Sequence, residues 1–138
     1  MQRILAFDVG DKRIGVAVSD PLGYTAQGLE TYTRQNTLEQ DVAYILALAQ
    51  KYKPVRLLFG MPRNMDGSYG FQSEKVRAFA DAVLACWDGE YDFYDERLTT
   101  AAAERMLVDA DVSRKKRRKV IDKLAAVVIL QGYLETQR

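Results

Sequence analysis

The sequence contains no histidine. That absence removes the Ser-His and Cys-His nucleophile pairs, the imidazole general base and every His-containing zinc site. If the chain is an enzyme, its chemistry rests on carboxylates, Lys, Tyr or a hard metal ion. Cysteine is nearly absent too, and the single Cys86 has no partner for an intramolecular disulfide. Its place at the end of an apolar helical pattern predicts a buried, structural side chain. An excess of either charge is also missing, since 20 Lys and Arg meet 19 Asp and Glu for a net charge of +1. No global field draws a polyanion, so such a partner must be met by a local patch. No apolar run approaches the ~18 to 20 residues of a membrane span, and the opening MQRILAFDVGDKR lacks the pattern of a secretion signal. The expected address is the cytoplasm, without membrane contact.

What is present is an ordinary globular mix, 48% hydrophobic and 28% charged over 138 residues, which is enough for a single domain spanning 1–138. Residues 3–9 are almost continuously apolar, as a strand covered on both faces would be, and RIGVAVS (13–19) is a second strand close behind. The short Gly10-Asp11-Lys12 link pairs the two as a hairpin, and the alternating TAQGLETYT (25–33) predicts a third strand. Thr37 with Gln40 three residues on fits a capping box for a helix that runs to Lys51 and ends before Pro54. Beyond it the patterns give a strand over 55–60, a helix over 72–87, a strand over 91–95, a threonine-capped helix over 99–108 and a last helix over 119–135. Apolar residues run nearly all the way round that last helix, so burial on most sides is expected. The order βββαβαβαα implies a mixed five-stranded α/β sheet with helices on both faces, the ribonuclease H-like architecture.

Acids stand where a solvated surface explains them poorly. Asp8 closes the first strand, Asp95 and Glu96 close the fifth, and Asp122 shares a helical stripe with Ala125, Ala126, Ile129 and Tyr133. An acid on such a stripe needs a partner. Structural explanations remain open for each: Asp8 receiving N–H bonds from the Gly10 turn, Asp95 and Glu96 pairing with Arg97, Asp122 neutralised by Lys119 or Lys123. Taken together, carboxylates in a chain without His suit Mg²⁺ or Mn²⁺, and two such ions can activate water and stabilise the leaving oxygen of a phosphodiester. Gly10 and Gly15 would keep the backbone slim enough for a phosphate, with Arg13 facing it.

Two further stretches suit a polyanionic substrate. SRKKRRK (113–119) sets Arg114, Lys115, Lys116, Arg117, Arg118 and Lys119 in one run, with Ser113 as a helix cap. Such a run grips phosphates without reading sequence, and alone it does not tell RNA from DNA. GMPRNMDGSYG (60–70) is a long turn-rich loop at the carboxyl end of a strand, the place where open α/β sheets bind ligands, and it offers Arg63 and Asn64 as substrate contacts. Tyr24, Tyr69 and Trp87 are expected to be exposed, as stacking platforms or part of a dimer surface.

FDVGDKRIGVAVSD, GMPRNMDGS, DERLTTAAAE and SRKKRRKVIDKLAAVVILQGYL, in that order, resemble the YqgF (RuvX) family of bacterial ribonuclease H-like proteins. The resemblance implies a nuclease for the 5′ end of pre-16S ribosomal RNA, related to Holliday-junction resolvases, with Asp8, Glu96 and Asp122 as its metal-binding acids. Structured RNA is then the expected partner, branched DNA the alternative, and the chain a monomer or homodimer. Arg13 and Arg97 would position phosphate or brace the acids. In many ribonuclease H-like nucleases the second acid closes the fourth strand, but here that strand ends Phe59-Gly60-Met61. A fifth strand two positions from the first lies ~10 Å away, which favours Glu over Asp at 96 and side-chain-free Gly60 between. Two other classes share features of the sequence. DVGDKRIGVA also resembles the first phosphate loop of actin-like ATPases, whose two lobes need about twice this length, and a non-catalytic RNA-binding or transcription-associated factor would keep the basic run without needing all three acids.

Overall fold

The computed structural model describes residues 3–62, 70–95 and 114–137, with 114–120 described by their backbone alone. The elements are β1 (Ile4–Val9), β2 (Arg13–Ser19), β3 (Ala26–Thr33), α1 (Leu38–Tyr52), β4 (Arg56–Met61), α2 (Phe71–Leu84), β5 (Glu90–Asp95) and α3 (Arg114–Thr136). The strands form one sheet in the order β3-β2-β1-β4-β5. β1 pairs antiparallel with β2 and β2 with β3, while β1 with β4 and β4 with β5 are parallel. The predicted helix over 99–108 lies outside the described residues.

The alternation of β1 divides the core. Leu5, Phe7 and Val9 join Ile45, Leu48 and Ala49 of α1 and Val76, Phe79, Ala80 and Val83 of α2 on one face of the sheet. Ile4 and Ala6 join Ala17, Leu58 and the α3 residues Ala126, Ile129, Leu130 and Tyr133 on the other. β1 is buried along its length except at Asp8, which is half-buried. The central strand of the sheet, otherwise buried, thus opens to solvent at its one charged residue.

Local signals place the helices. The capping box at α1 forms as predicted, with the Thr37 side chain accepting from the Gln40 amide and the Gln40 side chain reaching back to the Thr37 amide. Lys53 then turns left-handed with φ 49°, which stops the helix ahead of Pro54.

Four expectations are corrected. The last helix begins at Arg114 instead of 119, so the basic run occupies its first turns; Lys and Arg are good helix formers, and polar residues without an apolar stripe hid the start. Among the described residues its full burial is limited to Ala125, Ala126, Ile129, Leu130, Tyr133 and Leu134, and the rest of 121–134, Val127 and Val128 included, is half-buried. α2 ends at Leu84, where the amides of Cys86 and Trp87 turn back onto the carbonyls of Val83 and Leu84. Cys86 therefore leaves the buried stripe and is exposed. Trp87, in contrast, is half-buried against the core, its indole N–H donating to the Glu90 carbonyl at 2.9 Å.

Asp20, whose role the sequence leaves as a turn residue, organises the β2–β3 turn. Its carboxylate accepts from the amides of Tyr24 and Thr25, both at 2.7 Å, and from Leu22. The Thr25 hydrogen bond is the largest of several that hold this carboxyl below its ordinary value.

Candidate active site

The site grows from the register of the sheet. Asp8 stands opposite Gly15 on β2, and Gly15 stands opposite Thr31 on β3. On the other side Phe7 is level with Phe59, so one more step sets Gly60 beside Asp8, and Gly60 is level with Tyr94. Asp8 is thus flanked on both sides by residues without side chains, on the face that α3 crosses.

α3 uses the first of those gaps. A Cβ at Gly15 would overlap the carbonyl oxygen of Asp122, so the helix backbone rests directly on the strand there. This contact fixes Asp122 above the residue paired with Asp8. It also corrects the reading of Gly15 as room for a phosphate, because the space belongs to α3. A Cβ at Gly10 would meet the Arg13 carbonyl oxygen at 2.9 Å, and the Gly10 amide donates to that same oxygen at 2.9 Å. This glycine serves the tight turn.

Asp122 lies on the inner stripe of α3, half-buried, and among the described residues its partner is Arg13, not Lys123; the Lys119 side chain lies outside them. The Arg13 Nε donates to Asp122 Oδ2 at 2.6 Å, with side chains 30% and 22% exposed. The contact joins β2 to α3 beside Asp8. The planar guanidinium fork matches the geometry of a carboxylate better than a lysine ammonium would. Of the two roles expected of Arg13, phosphate contact or support of an acid, the observed contact is of the second kind.

The other expected residues divide into three groups. Asp95 is level with Met61, which belongs to the core shared with α1 and α2, so Asp95 lies on the face away from Asp8. Arg63, Asn64, Glu96 and Arg97 lie outside the described residues, as does Tyr69. The six cations from Arg114 to Lys119 lie on α3 within the chain segment that leads into Asp122, and their side chains are likewise outside the described residues. Among the described residues no three acidic or thiol side chains gather closely enough to cage a metal ion, and no helix is long and apolar enough to cross a membrane.

A supporting network beside the site was not legible in the sequence. Asp41, in the first turn of α1, is 2% exposed yet charged. Burial pushes its carboxyl up, but bonds from the Gln35 amide at 2.9 Å, Arg34 Nε at 2.8 Å and the Tyr32 hydroxyl at 3.0 Å outweigh this and hold it below its ordinary value. Asp41 reads in sequence as an ordinary helix-start acid; its partners precede the helix by several residues.

Residues 2–136 match the family model described as RuvX, Holliday junction resolvase. A protein of Desulforamulus reducens named "Putative pre-16S rRNA nuclease" is 56% identical over 134 residues, covering 97% of each chain. One of Halalkalibacterium halodurans with the same name is 53% identical, covering 99% of this chain and 98% of that one. Among solved structures, RuvC of T. thermophilus in complex with a Holliday junction substrate superposes with a TM-score of 0.64 over 99% of this chain and 96% of its own, at 15% identity. The yeast mitochondrial Holliday junction resolvase Ydc2 gives 0.61 over 99% of this chain and 79% of its own, at 12% identity. At such identities the two structures establish the fold, which is that of the ribonuclease H-like resolvases, and the match along the whole sequence establishes the rest: the chain belongs to the RuvX family.

Proposed function

We propose that this protein is a nuclease, a divalent-metal-dependent hydrolase of phosphodiester bonds in structured RNA, with the 5′ end of pre-16S ribosomal RNA as its substrate. The observation that carries the reading is the convergence of Asp8 and Asp122, from β1 and α3, on one end and one face of the sheet through the Gly15 contact. The names of its close relatives point to the same substrate.

The donor chemistry fits a hard cation: carboxylate oxygens, no imidazole in the entire chain, and glycine in place of side chains beside the central acid. Asp8, Asp122 and Glu96 would hold Mg²⁺ or Mn²⁺; Glu96 follows Asp92 and Tyr94 at the two-residue spacing of the Asp8 face. Bound there, the ion supplies Lewis-acid polarisation of a phosphoryl oxygen and a more acidic water. Arg13 keeps the Asp122 carboxylate oriented and balances part of its charge. Arg97, Arg63 and Asn64 supply contacts to the substrate. The cations 114–119 occupy the first turns of α3, at the positive end of its dipole and with no acid in the first turn, where an anion is favoured. A phosphate backbone is such an anion.

The test is cleavage of a pre-16S RNA fragment and a four-way DNA junction, side by side, by wild type and Asp8→Asn. Cleavage of the RNA by wild type alone, with Asp8→Asn folded and still binding, supports the reading. Equal cleavage by the variant removes Asp8 from the site, and preference for the junction moves the substrate to branched DNA.

A further inference from the structure

We infer that Arg34 is a positioning residue of this site, the strut that sets the height of the turn between β1 and β2. The inference rests on the nuclease reading for its functional half and on the described contacts for its structural half. Arg34 follows the last residue of β3, and no metal ligand or substrate contact is assigned to it. Its Nη1 donates to the Gly10 carbonyl at 3.0 Å, and its backbone amide donates to the Lys12 carbonyl at 2.9 Å. Both acceptors belong to the turn that leaves Asp8 and leads into Arg13. The same guanidinium donates through Nε to Asp41 at 2.8 Å and lies over the Phe79 ring with 4.9 Å to its centroid. One planar fork therefore ties the turn to the first turn of α1 and to α2.

Two features favour positioning over simple stability. The buried Asp41 is held by two further bonds, from the Tyr32 hydroxyl and the Gln35 amide, so Arg34 hangs from an anchor that other contacts also hold. Among the described residues the turn it holds has few other ties: the Gly10–Arg13 backbone bond and the exposed Lys75–Asp11 contact at 3.4 Å. A shift of that turn reaches Arg13, whose Nε holds Asp122, on one side and Val9, next to Asp8, on the other. Displacements of about 1 Å in such constellations cost on the order of 10²-fold in rate.

Arg34→Lys separates the two functions of the fork, because an ammonium can keep the Asp41 ion pair but lacks the planar geometry to hold Asp41 and the Gly10 carbonyl at once. The variant is compared with Arg34→Gln and with Ile45→Val, a core change in α1 away from the turn. Three quantities are read: thermal midpoint, amide exchange of the turn, and Mn²⁺ affinity with kcat and KM for RNA. For Arg34→Lys we expect a midpoint near wild type, at least tenfold faster exchange at Gly10–Arg13, weaker Mn²⁺ binding and a 10- to 100-fold lower kcat, with KM changed less than threefold. Ile45→Val should lower the midpoint and leave kcat alone. Recovery of kcat together with the midpoint in Arg34→Lys, or unchanged exchange at the turn, would overturn the inference. A wild type that binds no Mn²⁺ and cuts nothing sinks the nuclease reading instead, and the exchange data then decide the strut by themselves.

Discussion

At the scale of single residues, two ion pairs of different character frame the site. Arg13–Asp122 is partly open to water, so its contribution to stability is modest and its value lies in orientation. Arg34–Asp41 has its acid almost fully enclosed, where losing either partner strands a charge. Asp41→Ala should cost about 3 kcal/mol in urea unfolding at neutral pH, the range found when one member of a buried pair is removed. The pH dependence follows from the direction of the shift. The folded carboxyl lies below its ordinary 3.8, so its contribution is complete above that value and is lost as pH falls through the lower, folded one. The wild type should therefore lose more stability than Asp41→Ala between pH 4 and acid unfolding, and parallel curves for the two proteins would remove Asp41 from the account.

At the scale of elements, α3 is the part that makes two distant stretches into one site, and glycine sets where it lies. At Gly15 an added Cβ meets helix backbone, which no rotamer change relieves; at Gly28 it meets Lys123 Cγ at 2.8 Å, the stem of a side chain that can swing away. Gly15→Ala should thus destabilise by about 1–3 kcal/mol and move Asp122 off Asp8, with cleavage falling far more than stability alone explains. Gly28→Ala should cost less on both counts, and equal denaturant midpoints for the two variants would show that the helix adapts freely. The strands, both capped ends of α1 and the inward stripe of Asp122 were legible in sequence because each follows from a period or a cap within a few residues. The start of α3 was not, since a basic run carries helix propensity without amphipathic pattern, and neither was the exposure of Cys86, which turns on a helix ending three residues early. Partners across the fold were hidden for a simpler reason. Arg13 pairs with an acid 109 positions away, and no local spacing announces such a pairing.

At the scale of the whole molecule, a net charge of +1 means that nucleic acid is not drawn by the protein at large. Attraction has to come from where charge is concentrated, and the first turns of α3 hold six consecutive cations that lead directly to Asp122. Binding and cutting would then share one element: the helix proposed to grip the backbone also carries an acid proposed to bind metal, so a bound phosphate chain would be delivered to the Asp8 end of the sheet. This coupling predicts how salt acts. Removing one cation that neutralises a phosphate lowers the slope of log K against log salt by about 0.9 for duplex or 0.7 for single-stranded substrate. Replacing Lys115 and Lys116 with Gln should weaken binding on RNA and on a DNA junction alike and reduce the slope by roughly 1.4 to 1.8. The rate of cleavage once bound should stay near wild type, because neither lysine is assigned to the acids. Filter binding across a salt series, paired with single-turnover cleavage at saturating protein, measures both quantities. An unchanged slope would place the phosphate grip elsewhere on the surface, and weaker binding confined to one substrate would mean that these lysines read more than charge.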